Sequence, residues 1–67
     1  MAKNSLGQRL RDIREAKGMT QEEVAAKAKM KYQAVARLEL GGTLNPRIDT
    51  VRALAKALGV SVSELIE

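Results

Sequence analysis

The sequence predicts an all-α fold in which five short helices form one domain over residues 1–67. Three observations support this class. Apolar residues recur at helical spacings between glycines and capping residues, no segment alternates with a period of two, and Tyr32 is the single aromatic residue. A chain of this length has room for one small core, which the aliphatic side chains and Ala must build.

The first helix is predicted over about residues 5–17. Its inner face consists of apolar residues at positions i, i+4 and i+7, namely Leu6, Leu10 and Ile13. Asn4 or Ser5 can serve as the N-cap. Gly18 marks the end, because glycine takes the left-handed cap conformation without a Cβ clash.

The second and third helices are predicted over residues 21–28 and 32–40. Thr20 and Glu23 have the spacing of a capping box, which opens the second helix. Gly41 and Gly42 end the third helix. The residues expected to face the core are Val24, Ala25, Ala28, Val35 and Leu38.

The last two helices are predicted over residues 50–58 and 62–66. Pro46 places a loop before the fourth helix, Asp49 is the expected N-cap, and Gly59 ends it. Ser61 and Glu64 form a second capping-box pattern. The apolar residues of these helices are Val51, Leu54, Ala55, Leu58, Leu65 and Ile66.

The absence of Cys and His restricts the chemistry. No disulfide can form, and a zinc site would have to use carboxylates alone, which suit zinc poorly, so we expect no metal and no cofactor. No nucleophile and base stand out as a pair, and so small a domain lacks the volume of a substrate cavity. An enzyme and a small-molecule ligand are therefore the least favoured interpretations.

No apolar run approaches the roughly 20 residues of a membrane span, and no secretory signal is recognisable. We therefore expect a protein of the cytoplasm. Residues 1–31 contain eight Lys or Arg and four acidic residues, whereas residues 32–67 contain four of each, so the net charge of +4 lies in the first half. This distribution is compatible with a polyanionic partner, and equally with a solubilising surface that has none.

The predicted order of helices is that of helix-turn-helix proteins, in which two short helices joined by a tight turn follow one helix and precede two more. This topology alone fits DNA binding and protein docking equally. Three motifs are more specific: LGQRLRDIR at 6–14, GMTQEEVA at 18–25 and LAKALGVS at 54–61. With Val35, Arg37-Leu38-Glu39, Gly41 and Asn45-Pro46, they resemble the Cro and phage-repressor type of helix-turn-helix family (lambda-repressor-like, XRE family) over about residues 6–66.

This resemblance implies a compact five-helix lambda-repressor-like domain with a helix-turn-helix formed by helices 2 and 3. It implies a bacterial or phage transcriptional regulator of the repressor type, which reads the major groove of double-stranded DNA with helix 3. Since Val35 and Leu38 must face the core, the residues left to contact bases are Lys31, Tyr32, Gln33, Ala36 and Arg37. Gln33 can bond adenine and Arg37 guanine, although both would also suit an ordinary solvated helix face.

A second set of residues is expected to contact phosphates, which positions the domain without reading sequence. Gln21 opens helix 2, where free backbone N–H groups favour an anion. The full set is Gln21, Lys29, Gly42, Thr43 and Arg47. Arg14 and Glu39 resemble the family's structural ion pair between helices 1 and 3, and we assign them to structure.

Two lysines depart from the family pattern. The family usually has Gly at the position of Lys29, where φ is positive, and Ser or Thr at the position of Lys31, where the side chain caps helix 3. Each departure is expected to cost about 1 kcal/mol. Ala34 and Ala36 also leave the binding face with fewer hydrogen-bonding groups than usual. One hypothesis is that the lysines give up stability for phosphate attraction, and the alternative is drift or engineering.

The family resemblance also implies a homodimer on a palindromic operator, with an interface around Leu58–Ile66. The main alternative is a protein-interaction module on the same fold, such as an adaptor or an antitoxin-type partner. Leu40 and Leu44 could serve such a partner if they are exposed. Strong salt dependence of duplex binding would favour DNA over this alternative.

Overall fold

The computed structural model describes residues 6–41 and 46–66, and these contain five helices and no strand. The helices are α1 (Leu6–Ala16), α2 (Gln21–Ala28), α3 (Tyr32–Glu39), α4 (Ile48–Leu58) and α5 (Val62–Ile66). The predicted all-α class is confirmed. α1 and α3 end slightly earlier than predicted, and the N-cap prediction for Asn4 or Ser5 lies outside the described residues.

One core joins all five helices. α2 packs on α3 and α4, while α1 and α4 also contact α5, and α1 contacts α3. Every residue predicted to face inward on α2, α3 and α4 is buried, and complete burial of an aliphatic side chain stabilises the fold by about 1.5–3 kcal/mol. The buried hydrophobic residues are Leu10, Val24, Ala25, Ala28, Val35, Leu38, Val51, Leu54, Ala55, Leu58 and Leu65.

Two capping boxes fix the starts of α2 and α5, as the sequence predicts. The Glu23 amide donates to Thr20 Oγ1 at 3.0 Å, and the Thr20 amide donates to Glu23 Oε1 at 2.8 Å. The Glu64 amide donates to Ser61 Oγ at 3.1 Å, and the Ser61 amide donates to Glu64 Oε1 at 2.9 Å. Each pair satisfies backbone donors that a helix start leaves without an intrahelical partner.

The prediction that Asp49 caps α4 is wrong. The helix begins at Ile48, and its N-cap is Arg47, whose side chain makes no capping hydrogen bond. Asp49 instead lies in the first turn, where its carboxylate meets the positive end of the helix dipole. Acidic residues favour both the cap and the first turn, so the residue type alone could not distinguish the two positions.

Two features of α1 set its position against the other helices. Gly7 is buried, and a Cβ at this position would overlap the carbonyl oxygen of Leu38 and lie 3.2 Å from the Glu39 Cα. Arg9 donates through Nε and Nη2 to the backbone carbonyl of Glu64, at 2.9 and 2.7 Å. The absence of a side chain at Gly7 lets α1 approach the end of α3, and the Arg9 hydrogen bonds link α1 to α5.

Among the described residues, no helix is both long enough and apolar enough to cross a membrane, since α1 and α4 have only 11 residues each.

Candidate nucleic-acid interface

The turn between α2 and α3 is built around a lysine in the left-handed conformation. Lys29 has φ 58° and ψ 45°, and it is the one non-glycine with positive φ in the described part of the chain. Its amide donates to Ala26 O at 3.2 Å, and the Met30 amide donates to Ala25 O at 2.9 Å. The predicted positive φ at Lys29 is therefore confirmed, and the helix ends with a geometry that glycine would adopt without strain.

The start of α3 lacks a side-chain cap. Lys31 occupies the N-cap position with φ −76° and ψ 145°, and its side chain makes no capping hydrogen bond. This agrees with the prediction that Lys31 cannot cap. An ammonium group beside a helix start is also repelled by the positive end of the dipole, so Lys31 favours an anion at this place.

The outer face of α3 is polar and accessible. Lys31, Tyr32, Gln33 and Arg37 are exposed, while Ala36 is half-buried. Val35 and Leu38 turn towards the core, as predicted from their spacing. Four of the five residues that the sequence assigns to base contacts are thus accessible to a ligand.

A groove of about 440 Å³ lies between α3 and the start of α4, and we call it the α3–α4 groove. It joins three of the base-contact candidates to Arg47, which the sequence assigns to phosphate contact. Its lining residues are Met30, Lys31, Gln33, Ala34, Arg37, Leu38, Pro46, Arg47 and Thr50. Three of them are basic and none is acidic.

The other end of α3 is fixed by a two-point ion pair. Arg14 Nε and Nη2 donate to the two carboxylate oxygens of Glu39, at 2.6 and 3.0 Å, and Arg14 Nη1 donates to Met19 O at 2.8 Å. The Glu39 side chain is only 3% exposed and that of Arg14 only 11%. The hydrogen bond with Glu39 raises the pKa of Arg14 above its ordinary value. Arg14 therefore stays charged, and the pair holds α1 against the end of α3.

Gln21 takes part in the same network. Its Nε2 donates to Glu39 Oε1 at 2.9 Å, so the first residue of α2 is bound to the last residue of α3. The sequence predicted a phosphate contact for Gln21 and gave no sign of this bond, because the two residues lie on different helices. The bond orients the half-buried side chain at the exposed start of α2.

The other residues predicted to contact phosphates or a second subunit lie at several places in the fold. Lys29 is exposed in the turn before α3 and Arg47 is exposed at the N-cap of α4, whereas Gly42 and Thr43 lie outside the described residues. In the segment assigned to a dimer interface, Leu58 and Leu65 are buried in the core and Ile66 is 55% exposed.

A second groove of about 450 Å³ lies between the end of α2 and α4, and we call it the α2–α4 groove. Its lining residues are Lys27, Ala28, Lys29, Ala53, Lys56 and Ala57. Lys29 is the one residue of this set that was predicted to contact DNA, because Lys27 and Lys56 are far apart in the chain and no local motif connects them. No group of three or more acidic, His or Cys residues in the described ranges is arranged to hold a metal ion.

Comparison with known proteins agrees with this geometry. A family model described as Helix-turn-helix matches residues 10–65. The chain is 43% identical over 61 residues to the HTH-type transcriptional regulator y4dJ of Sinorhizobium fredii, covering 91% of this chain and 78% of that protein. It is 34% identical over 62 residues to the HTH-type transcriptional regulator DdrOP3 of Deinococcus deserti, and 36% identical over 62 residues to the immunity repressor protein of Bacillus phage phi105.

The last two matches cover 92% of this chain but only 47% and 42% of those proteins, so the chain spans less than half of either relative. Among solved structures, the restriction-modification controller protein C.AhdI from Aeromonas hydrophila superposes with a TM-score of 0.86 at 36% identity, covering 91% of both chains. SinR of Bacillus subtilis, solved in complex with DNA, superposes with a TM-score of 0.85 at 32% identity, covering 90% of this chain and 95% of that one.

Proposed function

Because this chain belongs to the helix-turn-helix family, we propose that it binds double-stranded DNA sequence-specifically, with α3 in the major groove, and regulates transcription as a repressor. The observation that carries the proposal is the surface of α3, where exposed amide and cationic side chains line a groove without acidic residues. The family is one of transcription regulators rather than of enzymes. The likeness to SinR, which was solved with DNA, supports the same role.

In this proposal, the first part of α3 reads base edges. Gln33 is exposed near the helix start and can form two hydrogen bonds with adenine, while Arg37 lies one turn later and can form two with guanine. Tyr32, which is 47% exposed, can contact a thymine methyl group or a phosphate. Ala36 is half-buried and offers a small apolar contact, and Lys31 adds charge at the helix start.

Phosphate contacts on both sides of α3 would fix its position on the duplex. Gln21 stands at the start of α2, where backbone N–H groups and the helix dipole favour an anion. One N–H of its side-chain amide is bound to Glu39, which leaves the second N–H and the α2 backbone as donors to a phosphate. Lys29 supplies charge at the turn before α3 and Arg47 at the start of α4, and we extend this role to Gly42 and Thr43 on the basis of the sequence.

We further propose a homodimer on a palindromic operator, because one recognition helix reads few base pairs and a two-fold protein matches two half-sites. The exposed Ile66 supports an interface around Leu58–Ile66. Leu58 and Leu65 are buried in the core, so Ile66 is the large apolar side chain of this segment that can meet a partner. A cytoplasmic location in a bacterium, or in a host cell for a phage protein, follows from the same role.

The proposal is tested by selecting from a randomised duplex pool at two salt concentrations. We expect a short palindrome to be enriched, with affinity that falls steeply as salt rises. Q33A and R37A should each reduce discrimination at one base position by about 1–3 kcal/mol, which is roughly 5- to 150-fold. The matched controls Q8A and R11A change exposed residues of α1 and should leave the enriched sequence unchanged.

If DNA is retained but no sequence is enriched, the recognition roles of Gln33 and Arg37 are contradicted. No retention at low salt would contradict DNA binding as a whole. The second candidate is then a protein-interaction module, and the observation that favours it is Leu40, which is 86% exposed at the end of α3. A tight protein complex that L40S abolishes, together with negligible duplex affinity, would establish that alternative.

A further inference from the structure

The two grooves lie along the same face of α4. Arg47 and Thr50 line the α3–α4 groove, and Ala53 and Ala57 line the α2–α4 groove. Steps of three or four residues keep positions on one side of a helix, so the two grooves are neighbours along α4. Together they form a surface that extends from the recognition helix to the last turn of α4.

The turn between α2 and α3 separates the grooves. Met30 and Lys31 line one of them, whereas Ala28 and Lys29 line the other. A ligand that lies along α3 and passes over this turn therefore meets the α2–α4 groove next. The two grooves are therefore neighbours that this turn divides.

The charge on this surface has one sign. Six of the chain's 12 Lys and Arg residues line the two grooves, and no described acidic residue lines either of them. In the α2–α4 groove these are Lys27, Lys29 and Lys56, all exposed. Among the described residues the ion pairs involve Arg11 and Arg14 only, so none of the three lysines is neutralised within the described fold. Like charges held together repel one another, and a polyanion in the groove relieves that repulsion.

We propose that the α2–α4 groove binds backbone phosphates of the same DNA duplex, beyond the base pairs that α3 reads, so that Lys27 and Lys56 lengthen the footprint of the domain. The proposal rests on the proposed function. The chemistry of the groove favours a phosphate backbone over an acidic peptide. Its floor is formed by Ala28, Ala53 and Ala57, which offer no polar side-chain atom to select a sequence or a direction. Lysine ammonium groups act as point charges, which suits evenly spaced phosphates.

The test compares two variants that remove the same charge from different surfaces. K27Q/K56Q removes two cations from the α2–α4 groove, and R11Q/R52Q removes two exposed cations that line neither groove. Each lowers the net charge from +4 to about +2. Lys29 is left in place, because a change there would also alter the strain of the left-handed turn. Binding of wild type and both variants to the enriched duplex is measured between 50 and 200 mM salt.

Each phosphate contact contributes about 0.9 to the slope of log affinity against log salt. K27Q/K56Q should therefore reduce that slope by about 1.8, so that between these salt concentrations it loses roughly tenfold less affinity than wild type. R11Q/R52Q should keep the wild-type slope. In a series of duplexes with longer flanks, wild type and R11Q/R52Q should gain affinity from base pairs outside the site, whereas K27Q/K56Q should not.

A slope and flank dependence of K27Q/K56Q equal to those of wild type would overturn the groove proposal, even where the recognition sequence is read as proposed. Failure of the sequence-reading role of α3 gives a different result from failure of the groove proposal. If no sequence is enriched but K27Q/K56Q still lowers the salt slope on a duplex of random sequence, the groove contacts phosphates and the sequence-reading role of α3 fails.

Discussion

Helix propensity and core packing predict opposite changes in folding stability when Gly7 is replaced by Ala. Ala is the better helix former, so propensity alone predicts that G7A stabilises α1 by about 0.5–1 kcal/mol. The structure predicts a loss. The added Cβ would overlap the carbonyl oxygen of Leu38, and it would lie 3.0 Å from the carbonyl carbon of Leu38 and 3.2 Å from the Glu39 Cα.

The obstacle is helix backbone, which cannot rotate aside as a side chain does. α1 must therefore move away from α3, which strains the contacts between Arg14 and Glu39 as well. Overpacking of a core typically costs about 1–3 kcal/mol, and a clash with backbone belongs at the upper end of that range. After the gain in propensity is subtracted, we expect a net loss of about 2 kcal/mol, which lowers the Tm of so small a domain by roughly 8–16 °C.

Thermal unfolding followed by circular dichroism measures this loss. The matched control is G18A, because Gly18 has φ +69° and no atom lies within 4 Å of the place of its Cβ. G18A thus introduces backbone strain without a clash, and it should lower stability by about 1 kcal/mol. Amide chemical shifts of Leu38 and Glu39 should move in G7A and stay unchanged in G18A. A Tm of G7A equal to or above that of wild type would refute the close approach of α1 and α3.

Two further predictions concern charged residues. K29G relieves left-handed strain of about 1–2 kcal/mol, and the extra unfolded-state entropy of glycine offsets about 0.5–1 kcal/mol of that gain. The Tm should therefore rise by roughly 3–6 °C, while DNA affinity falls modestly. The control K29A removes the charge and keeps the strain, and unchanged DNA binding of K29G at low salt would contradict the exchange of stability for phosphate attraction. E39Q leaves Arg14 without its counter-charge in a largely buried position, and urea denaturation should show a loss of about 3–5 kcal/mol. R14M/E39L removes both charges and should recover most of that loss, whereas an E39Q loss under about 0.5 kcal/mol would mean that the pair contributes little.

Sequence reasoning succeeded where the signal was local and repeated. The spacing of apolar residues on α2, α3 and α4 identified the buried face of each helix, because core-facing positions must recur every three or four residues. Capping boxes at Thr20 and Ser61 located two helix starts. The family resemblance was confirmed by the Helix-turn-helix match over residues 10–65.

The sequence did not predict contacts between residues that lie on different helices. The bond from Gln21 to Glu39 and the bonds from Arg9 to the Glu64 carbonyl join residues on different helices, and no spacing rule encodes them. The α2–α4 groove was missed for the same reason. Gly7 did leave a signal, since a glycine inside a helical pattern often has a packing reason, but its partner on α3 could be named only from the fold.

The unequal support of the two ends of α3 has a consequence for how the helix moves. At its last residue, the Glu39 carboxylate accepts three hydrogen bonds, two from Arg14 and one from Gln21. At its start, Lys31 provides no side-chain cap. Amide hydrogens of the first turn should therefore exchange with solvent faster than those near Leu38, because helices open from the less supported end. An anion seated at that start supplies the missing acceptor, so ordering of the first turn becomes part of the binding reaction and adds an entropy cost to it.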